Sequence, residues 1–122
     1  MVSNSKTMGG IYMRGVIQQM IMKQAMRLQE QLETVQRELE EARVEGIAGG
    51  GAVRVIASGT GEIMEVKLSP EVVNSDDIEL LEDLIVVAVR DATSKAQELS
   101  TQKWQEALSQ LKLPIAKLLS DL

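Results

Sequence analysis

The 122-residue chain contains no cysteine, no histidine and no phenylalanine, and only one tryptophan and one tyrosine. Without cysteine there is no disulfide framework, thiolate metal site or thiol nucleophile, and the cytoplasm is the expected compartment. Without histidine the usual general base near neutral pH and the commonest metal ligand are both missing. Carboxylates, lysines, hydroxyls and Tyr12 remain, in no recognisable catalytic constellation, so an enzyme is not expected, nor any cofactor or resident metal. Gly49, Gly50 and Gly51 lack the following lysine and helix start of a phosphate cradle and read as a turn between strands. Two aromatic residues cannot build a stacking platform for unstacked bases, which argues against single-stranded nucleic acid or RNA. No run of about 18 uncharged apolar residues could span a bilayer. No cleavage pattern of a secretory signal follows the N-terminal segment. Neither a membrane nor a small-molecule substrate is expected as a partner.

What is present is an uneven distribution of charge. The net charge is −5, yet residues 1–29 carry Lys6, Arg14, Lys23 and Arg27 and no acid. Residues 30–94 are strongly acidic, and the last 28 are slightly basic again. Both ends of the chain are more basic than its middle.

Apolar residues at Ile21, Ala25, Leu28, Leu32, Val35, Leu39 and Ala42 alternate steps of four and three, the narrow stripe of a helix that packs on another helix. After Val44 the period falls to two. Val53, Val55 and Ala57 alternate with Arg54, Ile56 and Ser58, and Met64, Val66 and Leu68 with Ile63, Glu65 and Lys67. A short strand near Arg43 to Glu45, a glycine-rich separation from Gly46 to Gly51, and the tight Gly59-Thr60-Gly61 link predict a three-stranded antiparallel meander. Ser69-Pro70-Glu71 predicts a single helical turn. Asp76 with Glu79 has capping-box spacing and opens a second long helix reaching about Leu111, because Pro114 cannot continue it.

The fold class expected is therefore α+β: two long helices flanking a three-stranded antiparallel sheet, with a short helical turn after the third strand. Residues 14–112 form one domain, preceded by a flexible extension over residues 1–13 and followed by a tail over residues 113–122. The second helix has two apolar stripes through residue 92, Ile78, Leu81, Ile85, Ala88 and Ala92 on one side and Leu80, Leu84 and Val87 on the other. A single copy has too little chain to cover both, so a dimer is expected. The start of the first helix should lie beside the end of the second as an antiparallel stalk, bringing the basic chain ends together at its tip.

The runs MKQAMRLQEQLETVQRELEEARVEG (Met22 to Gly46), AGGGAVRV (Ala48 to Val55), GTGEIMEVKLSPEVV (Gly59 to Val73), LLEDLIVVAVRDA (Leu80 to Ala92) and SKAQE (Ser94 to Glu98) resemble the YbaB/EbfC family of nucleoid-associated DNA-binding proteins. The resemblance covers roughly residues 20–100. It implies a bacterial cytoplasmic homodimer at the nucleoid, with a sheet-centred core and tweezer-like protruding helical arms that hold double-stranded DNA. It also implies a part in chromosome organisation, gene regulation or repair.

Lys23 and Arg27 stand four apart on the face opposite the apolar stripe, where they could neutralise phosphates, and Arg14 would join them on a longer helix. On the second helix Lys103 and Lys112 lie nearest the expected tip. The DNA-binding set expected is Arg14, Lys23, Arg27, Lys103 and Lys112, weighed against ordinary solvated helix faces. Trp104 is expected to pack rather than to touch nucleic acid. The carboxylates Glu38, Glu41 and Glu45, and Glu79, Glu82 and Asp83, have helical spacing but no converging loop or companion ligand, and macrodipole compensation explains acids in a first helical turn. The alternative function is a dimeric adaptor or structural protein gripping a protein partner with its arms, favoured by the acidic balance.

Overall fold

A computed structural model describes residues 2–74 and 76–110, with side chains from Arg14 onward. The order is α1 (Val2–Glu41), β1 (Arg43–Ala48), β2 (Val53–Ser58), β3 (Ile63–Leu68), α2 (Pro70–Val73) and α3 (Ile78–Gln110). The three strands form one antiparallel sheet in the order β1-β2-β3. Residues 2–13, expected as an extension, carry helical backbone continuous with the rest of α1. Residues up to Glu33 form one compact unit and those from Thr34 onward a second.

In the first unit α1 carries the apolar stripe that the spacing predicts, and Ile17, Ile21 and Leu32 are exposed on it. The second unit holds the core. Val53, Val55 and Ala57 of β2 are fully buried together with Ala88 and Ala92 of α3, and Leu81, Leu84, Ile85 and Val89 pack around them. The period-two pattern of β2 thus does what alternation should, turning one face to the helix and the other outward. A second cluster joins Val35 and Leu39 near the end of α1 to Ala107, Leu99 and Trp104 of α3. Trp104 packs, as expected.

Several boundaries differ from expectation. β1 runs on through Gly46 to Ala48 because Gly46 pairs with Val55 and Ala48 with Val53. The glycine there serves packing, since a β-carbon at Gly46 would collide with the Ala88 carbonyl oxygen and the Ala92 nitrogen of α3. The chain reverses only at Gly49–Gly51, all three with positive φ, a conformation that favours glycine. The N-cap of α3 is Asp77, not Asp76: its carboxylate accepts the Leu80 N–H at 3.0 Å, which satisfies one of the orphan donors of the first turn. Of the expected stripe, Ile78 is exposed rather than buried, and Leu84, assigned to the other side, packs on the core. Ser69 caps the short α2 with its backbone rather than its hydroxyl.

α3 lies across β1 and β2, and every residue of β3 is exposed. No helix among the described residues is long and apolar enough to cross a membrane.

Candidate nucleic-acid interface

The basic side chains expected to meet phosphate fall in different surroundings. Arg14, Lys23 and Arg27 are all exposed on α1, in a stretch whose first acid is Glu30. A helix turns 100° per residue, so Lys23 and Arg27, four apart, project from one face about 6 Å from each other along the axis. Arg14 stands nine residues before Lys23, two and a half turns, and so projects from the opposite side, above the apolar stripe of Ile21 and Leu28. Helical phase therefore separates Arg14 from the pair it was expected to join. Among the described residues none of the three has an ion-pair partner.

The bases of the second unit are more committed. The Lys103 ammonium is 3.0 Å from a Glu38 carboxylate oxygen, bridging α3 to the end of α1 beside Trp104. Any phosphate reaching Lys103 must compete with that carboxylate. Lys95 donates to the Glu45 carbonyl oxygen at 2.8 Å and to the Asp91 carboxylate at 3.0 Å. The same Asp91 oxygen accepts the Ile47 backbone N–H at 3.0 Å. The Ile47 hydrogen bond, then the Lys95 contact, hold the Asp91 carboxyl below its ordinary value of 3.8. Lys95 is thus a structural residue fastening α3 to the edge of β1. Lys112 lies outside the described residues.

Arg37 on α1 and Arg90 on α3 are exposed and also have no ion-pair partner among the described residues. Sequence reasoning passed over both because each sits in an acidic stretch. Arg54, by contrast, is paired with Glu45 across the β1–β2 hairpin at 3.1 Å. Of the acids considered as cation ligands, Glu38 is engaged with Lys103 and Glu45 with Arg54.

Among the described residues, the strongest uncompensated positive feature is thus the exposed, acid-free part of α1 around Lys23 and Arg27. Such a helix face can neutralise backbone phosphates without reading bases. Trp104 is partly buried and packs against the Val35, Leu39 and Ala107 cluster.

The YbaB/EbfC DNA-binding family matches the chain over residues 14–111. The chain is 50% identical over 93 residues to a nucleoid-associated protein of Dictyoglomus thermophilum, covering 76% of this chain and 89% of that relative. It is 52% identical over 85 residues to a nucleoid-associated protein of Saccharopolyspora erythraea, covering 70% and 73%. Among solved structures, an uncharacterized protein from Helicobacter pylori superposes with a TM-score of 0.59 at 18% identity, covering 66% of this chain and 84% of that one. That likeness concerns the fold.

Proposed function

The chain belongs to the YbaB/EbfC DNA-binding family, and from that membership we propose that it is a nucleoid-associated homodimer that holds duplex DNA by its phosphates with little sequence preference. The observation that carries this reading is the coincidence of the family match over residues 14–111 with an exposed helix that presents Lys23 and Arg27 and no acid before Glu30. A protein of net charge −5 repels DNA as a whole, so binding needs a locally positive surface, and this is the one that helical phase assembles. Arg14, Lys103 and Lys112 are secondary contacts in this reading, Lys103 because Glu38 must first release it. Binding through phosphates organises DNA without base contacts, which suits a nucleoid component acting in chromosome organisation, regulation or repair.

Homodimerisation is supported by the exposed apolar residues of β3 and α3, among them Val66, Leu68, Leu80 and Val87, which a single copy leaves in water. The protein-adaptor alternative, which the acidic balance favoured, finds no support in the names of the relatives, which are those of nucleoid-associated proteins. The test is a binding titration of unrelated duplexes of equal length at rising salt. Similar affinities for all of them, with a logarithmic salt slope near −5 for about six neutralised phosphates, are expected. No duplex binding even at low salt would overturn the reading, and strong preference for one sequence would overturn its phosphate basis.

A further inference from the structure

Sulfur in this chain is confined to methionine, because seven Met and no Cys are present. Four of the seven have described side chains, and all four stand in water: Met20 is 60%, Met22 64%, Met26 59% and Met64 45% exposed. None belongs to either packed cluster. Methionine ordinarily fills irregular gaps in a core with its flexible thioether. The three thioethers between Met20 and Met26 fill no core among the described residues, and what they offer the solvent is their chemistry.

Helical phase sets two of them beside the proposed phosphate contacts. At 100° per residue, Met20 and Met26 fall about 60° to either side of Lys23, and Arg27 about 40° to one side, so all four project from one face of α1. Both methionines are three residues from Lys23, a spacing at which helix side chains meet. Met22, about 100° away, projects from another face. The Lys23 ammonium has no ion-pair partner among the described residues. A thioether beside it is only a weak acceptor and leaves its donors to phosphate.

Resting on the phosphate reading stated above, we propose that Met20 and Met26 are oxidation sites through which peroxides reversibly weaken DNA binding. The thioether sulfur attacks one oxygen of hydrogen peroxide or an organic hydroperoxide. The O–O bond breaks as the S–O bond forms, and the other oxygen, taking up a proton, leaves as water or an alcohol. Sulfur loses two electrons and the peroxide gains them. The product is a sulfoxide, which puts a polar acceptor oxygen in place of an apolar, weakly accepting sulfur. Three residues from Lys23, that oxygen competes with phosphate for the ammonium, and the water it binds must be displaced before a phosphate can approach. With no thiol in the chain, no cysteine intercepts the oxidant first.

The test uses the full chain, hydrogen peroxide and a random-sequence duplex. Peptide mass spectrometry after brief treatment should place sulfoxide on Met20 and Met26, and affinity at fixed salt should fall about fivefold, the worth of one net hydrogen bond. Circular dichroism should show the helix content kept, and methionine sulfoxide reductases A and B together should restore binding. The double variant Met20→Leu, Met26→Leu, close in volume, should bind as the untreated wild type does and lose the response, whereas Met22→Leu and Met64→Leu should each keep it. Absence of sulfoxide at both positions, unchanged affinity with both fully oxidised, or a double variant that weakens as much as the wild type overturns this inference and leaves the phosphate reading standing. Untreated protein that binds no duplex at low salt overturns both.

Discussion

Gly46 is bare because the Ala88 carbonyl oxygen of α3 fills the space a β-carbon would need. The same approach brings the Ala92 nitrogen and β-carbon against β1, and it explains why α3 meets the sheet through the small residues Ala88 and Ala92. Gly46→Ala would force backbone against backbone, which no rotamer change can relieve, and should destabilise the fold by about 3 kcal/mol in urea denaturation, the upper end of overpacking costs. Gly15 supplies the contrast. Nothing lies within 4 Å of a β-carbon there, and it sits inside α1, so Gly15→Ala should be neutral or stabilising by up to about 1 kcal/mol.

That contact also marks how far the sequence could be read. Element types and order were legible because each segment keeps one period: four-and-three steps up to Leu39, alternation in β2, capping and proline signals around α2. What was hidden is set by contacts distant along the chain. Gly46 looked like a strand terminator, and only the approach of α3, more than 40 residues later, makes it a strand interior. Asp76 and Asp77 are both competent caps, and the choice between them depends on where α3 docks. For the candidate site, the exposure of Lys23 and Arg27 followed from helical phase, whereas Arg14 was expected to join them although the same phase puts it on the opposite side. The capture of Lys103 by Glu38 could not be read, because it needs the lateral register of α1 on α3.

Leu39 is 2% exposed and joins Val35, Ala107 and Trp104, and its carbonyl also accepts the Gly59 N–H at 2.8 Å. Leu39→Ala leaves that backbone bond but empties the cluster, so a loss of about 3 kcal/mol is expected. Trp104, the single tryptophan, reports it: its emission should shift to the red in the folded variant. An unshifted spectrum would mean that Trp104 is shielded by other residues.

The Asp91 clamp predicts a pH dependence. The Ile47 hydrogen bond and Lys95 lower the Asp91 pKa in the folded state, so the folded protein binds this proton less readily than the unfolded chain. The stabilisation is therefore present above the ordinary carboxylate range and is lost as pH falls through the lowered value. Asp91→Asn should reduce the urea midpoint at neutral pH. The gap to the wild type should close at a pH well below 3.8, where both side chains are neutral. A gap that persists unchanged in acid would assign the effect to geometry rather than charge.

The proposed DNA-contact residues can be ranked by their surroundings. Lys23 and Arg27 share a face with no acid before Glu30, so the double variant Lys23→Glu, Arg27→Glu, present twice in the proposed dimer, should remove up to four of the proposed phosphate contacts. It should flatten the logarithmic salt slope by about 3 to 4, at about 0.9 per contact. Arg14→Glu, on the opposite side of the helix, should change it less. Lys103 gives the more discriminating result, since Glu38 holds it at 3.0 Å. If Lys103 reaches DNA, Glu38→Gln removes its competitor, and affinity at low salt should rise with a steeper slope. If Lys103 serves only to tie α3 to α1, the same change should leave DNA binding unaltered and lower stability by no more than about 1 kcal/mol, the range of partly exposed ion pairs. Measuring both quantities on one folded variant separates a binding lysine from a structural one, and an unchanged slope in the Lys23, Arg27 double variant would move the phosphate contacts off this face of α1.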